Sequence, residues 1–558
     1  MTTEIELKYL LLPTADTQSA TNIPEKITQI LTQQGYAFKT VKKDLANYYL
    51  DTPNLNFRQL DMGLRVRTTK IHSQSLRHEQ TIKTAGEVIG GLHKRPEYNV
   101  ELDDNNVRLA LFPKSIWQGT NINLDELQQA IIPLFITNFA RVTWTISLGQ
   151  SVIELAFDHG IIYCDGLDNV DIIDEIELEL MTGDQCDLLV LARLLLAHFS
   201  MRFGRVSKAA RGYALAAQLV KLNLAKQMET DSDDIEQNNL AVTTIVNTTA
   251  VILLPAVKPL NLDIIPGQDH QSTRAAFCYG LGVCLSKLQA NIDNYLETQV
   301  LSDLFNINEL LALIRQGFWL FEQELTPKQL TLRDELSYFI RTLDWLDNAQ
   351  QLEELINLSP VYRKKFIVEL QQQKNSVPSQ DSVVEFLYSE RFNLLQLSLL
   401  ELLLTQEIAD TDNVLARTDV LTFAQVKLTE SVANTSRELL TFDGLSQTSL
   451  CLRYLEINGL LVRSLLTASW FSGLFNKKTM VNINEQSTDN YSLLWLDIKQ
   501  GINELATLYQ LQQQLLANSF GDEKLLTWLS NKIENLLQAM EQSRVKALSM
   551  KPYGQGSL

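Results

Sequence analysis

Glu175-Ile176-Glu177-Leu178-Glu179-Leu180 alternates a carboxylate with an apolar side chain at every step. Successive side chains of an extended strand leave opposite faces, so Glu175, Glu177 and Glu179 share one face and Ile176, Leu178 and Leu180 the other. Like charges crowded on one face repel unless a cation or basic groups neutralise them. The same alternation opens the chain, where Glu4-Ile5-Glu6-Leu7-Lys8 sets Glu4, Glu6 and Lys8 side by side. Taken alone, that opening segment reads more simply as an exposed edge strand. Its recurrence near residue 175 points instead to a shared charged interior.

Working inward from these two segments, the chain supplies the opposite charge. Arg65-Val66-Arg67, Lys83 in Gln80-Thr81-Ile82-Lys83-Thr84, Arg95-Pro96-Glu97, Arg141, and Glu154-Leu155-Ala156-Phe157-Asp158 lie between them. Where two polar members fall within one set, an even spacing keeps them on one face. Strands that are charged on one face and apolar on the other describe a barrel with a polar lumen. The competing arrangement, a β-sandwich, would leave the Glu4 and Glu177 faces in solvent. Convergence of those side chains with Arg65, Arg67 and Lys83 therefore decides the fold. Arginine forks and lysine point charges bind phosphoryl oxygens, and carboxylates hold Mg²⁺ or Mn²⁺, hard ions that also bridge phosphates. A polyphosphate needs both.

Period-two segments between turns are read at Glu4–Tyr9, Asn47–Asp51, Gly63–Thr69, Glu79–Thr84, Glu97–Leu102, Arg141–Leu148, Ser151–Phe157, Gly160–Cys164 and Asp174–Leu180. Helical spacing marks Pro24–Gln34, Asn123–Ile132, Asp184–Arg202 and Ser207–Lys226. Beyond an acidic, proline-punctuated junction at 226–262, leucine-rich segments such as Ile307–Gln323, Leu332–Trp345, Leu394–Ala409 and Leu493–Ala517 read as amphipathic helices. The expected architecture is an antiparallel β-barrel with flanking helices over residues 1–225, followed by an all-α helical bundle over 263–550.

Composition narrows the function. The 558-residue chain carries a formal net charge of −18, roughly −4 over the first 229 residues and roughly −14 over the rest. General nucleic-acid binding rests on a basic surface and is not expected. An acidic protein can still focus lysines and arginines inside one cavity. The five cysteines are scattered without a C-x-x-C spacing and the six histidines form no metal-binding pair, so any metal should be a hard ion on carboxylates. No run approaches the roughly 18 apolar residues of a membrane span, and Met1-Thr2-Thr3-Glu4 has no signal-peptide character, so a cytoplasmic enzyme is expected.

The ordered motifs resemble the CYTH domain, or triphosphate tunnel metalloenzymes. They are Glu4, Glu6 and Lys8; Tyr48-Tyr49-Leu50-Asp51-Thr52; Gly63-Leu64-Arg65-Val66-Arg67; the Lys83 strand; Gly90-Gly91-Leu92-His93-Lys94-Arg95-Pro96-Glu97-Tyr98; Glu154 to Gly160; the triple-glutamate strand; and Ser207-Lys208-Ala209-Ala210-Arg211-Gly212-Tyr213. The glycine pair and the last segment look most like the family's bacterial inorganic triphosphatases. The resemblance implies metal-dependent hydrolysis of inorganic triphosphate. One metal would be held by Glu4, Glu6 and the Glu177/Glu179 pair, with a second near Asp158 activating water. Lys8, Arg65, Arg67, Lys83, Arg95, Arg141 and Lys208 would bind phosphates, and Glu4, Glu6, Lys8 and Lys83 would carry catalysis. Thiamine- or nucleoside-triphosphatase, class IV adenylate cyclase and a non-catalytic polyphosphate-binding module remain alternatives on the same tunnel.

The C-terminal half stands where those enzymes carry a CHAD domain, a helical domain associated with polyphosphate binding. It resembles one poorly, because in Ile307 to Phe321 only Arg315 stands for the usual basic cluster and no histidine follows His270; the basic residues available, Arg315, Arg333, Arg341, Arg363, Lys364 and Lys365, are interspersed with Asp334, Glu335, Asp344 and Asp347. That half is expected not to bind long polyphosphate, and to pack or to dock a protein partner instead. Residues 1–225 alone are expected to keep the triphosphatase chemistry if they stay soluble.

Overall fold

The computed structural model describes residues 2–13, 22–71, 75–120, 122–230, 264–265, 272–347, 349, 377–405, 419–475, 488–517 and 523–549. The expected junction at 226–262 lies outside them beyond Thr230, as do Arg363, Lys364 and Lys365. The chain forms two compact units, Met1–Pro255 with Val384–Leu404, and Ala256–Val383 with Thr405–Leu558.

The first unit is built on ten strands, β1 (Thr2–Leu11), β2 (Ala37–Asp51), β3 (Gly63–Lys70), β4 (Arg77–Lys83), β5 (Glu87–Ile89), β6 (Leu92–Leu102), β7 (Ile132–Leu148), β8 (Ser151–Tyr163), β9 (Asp171–Thr182) and β10 (Met201–Phe203). The order β1-β9-β8-β7-β2-β3-β4-β6 closes on itself because β6 also pairs with β1, giving an eight-stranded antiparallel barrel. The two short strands extend it, β5 beside β6 and β10 beside β1. Closure removes the free sheet edges that an open sheet would expose.

Alternation along each strand separates two environments. One set of positions carries Glu4, Glu6 and Lys8 on β1 and Glu175, Glu177 and Glu179 on β9. The intervening residues Leu7, Tyr9, Ile176 and Leu178 are fully buried on the other side. Apolar faces outside the barrel are covered by helices. The helix Ile23–Gln33 buries Ile27, Ile30 and Leu31, and its Thr28 accepts the Trp144 indole N–H at 3.0 Å. The helix Cys186–Leu196 packs on β9 and buries Leu188, Leu189, Leu191, Leu195 and Leu196. A second apolar cluster, with Phe57, Leu64, Ile82, Phe112 and Trp117, lies under the segment 109–127.

One end of the lumen is stopped. Leu45, Tyr49, Phe135, Phe139, Ile162 and Ile173, which keep even spacing with the charged inward positions, pack with Tyr213 and Leu215 of the helix Lys208–Thr230. Tyr49 stacks on Phe135 at 4.6 Å between centroids, and Tyr213 meets Phe135 edge-on at 5.3 Å.

Three local expectations needed correction. The separate segments expected at Ser151–Phe157 and Gly160–Cys164 are one continuous strand, Ser151–Tyr163, with Gly160 inside it. A Cβ there would lie 2.2 Å from the Asn138 carbonyl oxygen, so the glycine permits close passage of β7. The helix expected over Asp184–Arg202 stops at Leu196, because Met201–Phe203 pairs with Tyr9–Leu11 at the C-terminal end of β1, and that pairing overrides local periodicity. The helix expected at Leu394–Ala409 is observed as Glu390–Leu404 within the first unit. It packs on the helix Cys186–Leu196 and β10, where Arg193 bonds to Ser398 and Glu401, and Arg202 donates to the Tyr388 hydroxyl at 3.1 Å. A fragment ending at residue 225 lacks this cover.

The second unit is helical, with Thr273–Thr298, Leu301–Leu320, Leu332–Thr342, Val420–Leu440, Gln447–Phe471, Thr488–Ala517 and Glu523–Ser549 as its main elements. Its core is organised by Trp470, fully buried, whose indole N–H donates to the Leu313 carbonyl at 2.9 Å. The ring lies against two helical glycines. A Cβ at Gly280 would fall 2.2 Å, and one at Gly317 2.3 Å, from ring carbons of Trp470. An exposed helical glycine gains about 1 kcal/mol on replacement by alanine. Here the sign reverses, because the indole has no room to yield. Gly317→Ala is expected to destabilise the helical unit by about 1–3 kcal/mol, read as a lower denaturant midpoint of tryptophan fluorescence; a raised midpoint would contradict the seating of Trp470.

Candidate active site

The inward charges of β1, β3, β4, β6, β7, β8 and β9 converge in the barrel. Lys83 on β4 pairs with Glu4 on β1 across β6 and stands 3.8 Å from Glu97. Arg65 on β3 reaches Glu97 on β6 at 3.2 Å, across β4. Arg141 on β7 reaches over β8 to Glu177 on β9 at 2.6 Å. These cross-strand pairs place the Glu4 and Glu177 faces in one interior with Arg65, Arg67 and Lys83, which decides for the barrel against the sandwich.

At the stopped end the charges are saturated. Asp158, fully buried, accepts Nε and Nη2 of Arg141 at 2.6 Å each, and Lys208 Nζ lies 2.8 Å away. Glu177 takes Arg141, Lys208 at 2.9 Å and Lys8 at 3.2 Å. Glu175 takes Lys208 and Arg211 at 2.6 Å each, with Lys8 3.9 Å away. Burial alone would push Asp158 and Glu177 towards the neutral form. Arg141 and Lys208 overcome this at Asp158, as Lys208, Lys8 and Arg141 do at Glu177, so both carboxyls are held below their ordinary range. Burial likewise opposes the charge on Lys8, yet Glu6, Glu177 and Glu175 raise its pKa above the usual lysine value.

Towards the other end the balance changes. Arg67 has a neutral partner, donating from Nε to Asn47 Oδ1 at 2.7 Å. Burial first, then the neighbouring Arg65 and Arg141, bring its pKa down to about 10. Arg95, opposite Glu4 in the β1–β6 register, has a buried Nε with no hydrogen-bond partner among the described residues. Glu179 faces an excess of its own sign. Burial, then Glu4 and Glu6, push its carboxyl up to about 8, against the pull of Lys83 and with Glu154 adding to the rise. Among the described residues, no group of three His, Cys, Asp or Glu side chains is gathered to hold a metal ion unaided.

All twelve residues singled out in the sequence lie on the barrel's strands or on the helix that stops it. Three partners escaped that reading. Glu97, which shares a strand face with Arg95, was given no role there and is the acid for Arg65 and Lys83. Glu175 belongs to the triple-glutamate strand but makes contacts only the register reveals. Arg211 is held by Asp171 and Glu175 rather than open to a ligand. In the helical unit, Arg315 donates to Ser337 Oγ at 3.3 Å, and burial followed by Arg341 and Arg463 depresses its pKa. Arg463, far away in sequence, was not anticipated beside it.

A family model described as the CYTH domain matches residues 2–213. A curated inorganic triphosphatase of Haemophilus influenzae is 33% identical over 220 residues, which cover 39% of this chain and 56% of that protein. The chain thus matches little more than half the length of that relative. Among solved structures, a protein of Hippeastrum described as an adenylyl cyclase candidate with a dominant triphosphatase activity is 19% identical, covering 38% of this chain and 95% of its own with a TM-score of 0.26. The CHAD domain from the plant Ricinus communis is 15% identical, covering 52% of this chain and 97% of its own with a TM-score of 0.35. With the closed barrel, its charged interior and the ordered motifs in place, residues 2–213 of this chain are a CYTH domain.

Proposed function

We propose that the barrel binds inorganic triphosphate together with Mg²⁺ or Mn²⁺ and hydrolyses it to diphosphate and phosphate. The observation that supports this reading is the division of one lumen into two charge environments. Lys8, Arg141 and Lys208 gather at the stopped end, and Glu4, Glu6 and Glu179 crowd together farther along. A chain of phosphoryl groups has a use for both.

Triphosphate oxygens would join Asp158, Glu175 and Glu177 as further partners of Lys8, Arg141 and Lys208, while Arg65, Arg67, Lys83 and Arg95 grip the chain along the wall. Among the described residues, Arg67 bonds to Asn47 alone and the Arg95 Nε is unsatisfied, so both have donors to offer without breaking an ion pair. Asp158 and Glu177 hold the cations of the stopped end in position. The metal is assigned to Glu4, Glu6 and Glu179. Their oxygens suit a hard ion, and Mg²⁺ commonly takes only one or two carboxylates and completes its shell with water and phosphate. When bound, the metal supplies charge neutralisation and a more acidic water for attack on phosphorus. Lys83, beside Glu4, is placed to hold the phosphoryl oxygens on which charge builds during transfer.

The deciding experiment measures phosphate release by the full chain from triphosphate, ATP and thiamine triphosphate side by side, with Mg²⁺ and with Mn²⁺. Preferential release from triphosphate supports the reading. Cyclic AMP formation from ATP, or triphosphate binding without release, replaces it.

Glu4→Gln and Glu6→Gln are each expected to lower turnover at least about 100-fold, the scale of losing an electrostatic group at the reacting centre, with the thermal midpoint unchanged or raised. Near-wild-type turnover in both removes the metal assignment. Glu179 gives a test independent of activity. Its folded pKa, about 8, exceeds the 4.5 of an ordinary glutamate. The stability contributed by the neutral form is therefore complete below pH 4.5 and lost as pH rises towards about 8. In EDTA at pH 9, Glu179→Gln should melt a few degrees above wild type, and the gap should close at pH 4.5. A gap that does not vary with pH would show that Glu179 ionises normally.

A further inference from the structure

The helix Lys208–Thr230 closes the barrel with three consecutive residues, and consecutive helical positions are turned about 100° from one another. Each therefore meets a different wall. Arg211 is gripped by Asp171 and Glu175 of β9, at 2.7 and 2.5 Å from the two Asp171 oxygens and 2.6 Å from Glu175. Gly212 lies on Phe135 of β7, so close that a Cβ would fall 2.0 Å from a ring carbon. Tyr213 donates its hydroxyl to Asp51 Oδ2, at the end of β2, at 2.9 Å. One turn earlier on the same helix, Lys208 extends to Asp158, Glu175 and Glu177.

Asp51 is fully buried. Besides the tyrosine it accepts the backbone N–H groups of Thr52 at 2.7 Å, Phe57 at 2.9 Å and Arg58 at 3.0 Å, while the Arg58 guanidinium lies 5.4 Å from the Tyr213 ring centroid. The three backbone bonds organise the turn after β2 without help from the helix. The bond to Tyr213 adds nothing to that turn and fixes the helix instead. Arg211 and Gly212 resist sliding over β9 and β7, and the tyrosine hydroxyl supplies the third point of attachment, which sets rotation about the helix axis.

We infer that Asp51 and Tyr213 are a positioning pair that aims Lys208 at the phosphoryl group bound at the stopped end of the lumen. The inference rests on the triphosphatase reading above. Neither residue touches the substrate; they act through the direction in which Lys208 leaves the helix. A displacement of about 1 Å at a reacting group can cost on the order of 100-fold in rate. A single lost hydrogen bond at the anchor should cost less.

The test is a double-mutant cycle in the full chain. Tyr213→Phe removes one oxygen and keeps the ring on Phe135. Lys208→Gln keeps a hydrogen-bond donor among the carboxylates, and Lys208→Arg takes its place if the glutamine variant does not fold. Tyr213→Phe is expected to lower triphosphate turnover about tenfold in the wild-type background and less than about twofold when Lys208 has been replaced, as coupled residues require. If replacing Lys208 takes turnover below detection, the same cycle is read on calorimetric affinity for inorganic triphosphate in EDTA. Equal losses in both backgrounds overturn the inference, since Tyr213 then acts through general stability; so does an unchanged wild-type background. A wild-type chain that neither cleaves nor binds triphosphate overturns the functional reading and this inference with it, whereas activity without coupling overturns this inference alone.

Discussion

Asp158, Glu175 and Glu177 are taken out of water by the barrel wall, and isolated carboxylates so placed would shed their charge by binding protons. Asp158 and Glu177 keep their charge because Arg141, Lys208 and Lys8 come within ion-pairing reach, and Glu175 is met by Lys208 and Arg211. Much of the architecture serves that neutralisation. The register of β1 against β9 sets Lys8 opposite Glu177, the pairing of β7 with β8 sets Arg141 opposite Asp158, and closure of the barrel end brings in Lys208. A slip of one residue in either register would turn a charged row outwards and an apolar row inwards. The ion pairs and the strand order are thus two expressions of one requirement.

The requirement is not met uniformly along the lumen. The stopped end is internally neutralised and locked, with every acid in contact with at least two bases. Farther along, Glu179 has no ion-pair partner among the described residues and stands near Glu4 and Glu6, while Arg67 bonds to the neutral Asn47 and the Arg95 Nε has no hydrogen-bond partner among them. Buried pairs of this kind are weak evidence for stability, since desolvation offsets much of their attraction. On the reading proposed above, the imbalance is a demand for charge that a polyanion and a divalent cation would satisfy together.

How far the sequence disclosed this depended on whether the signal was local. The alternation in Glu4–Lys8 and Glu175–Leu180 marked two strand faces, and the Arg65/Arg67 pair a third, because strand period is a property of adjacent residues. Which acid neutralises which base is set by register, so the partners of Glu97 and Glu175 have no local trace, although both residues lie on strand faces that the sequence marks as charged. Gly160 was read as the start of a separate strand, and only the approach of β7 shows why a glycine sits in mid-strand. The bond from Tyr213 to Asp51 spans 162 residues and has no local trace at all. In the helical unit, leucine spacing marked the helices, whereas the fit of Trp470 against Gly280 and Gly317 depends on three helices meeting.

The first unit also borrows chain from far downstream, since Val384–Leu404 belongs to it. During synthesis from the N-terminus the barrel strands are all available by residue 203, yet the apolar face of the helix Cys186–Leu196 waits for a partner made some two hundred residues later. Between those moments the nascent barrel carries uncovered leucines, the kind of transient surface that draws chaperones or neighbouring chains. Vectorial synthesis therefore gives the molecule a built-in order of assembly, barrel strands before their last helical cover. A ribosome that stops early releases a tunnel domain with its back exposed.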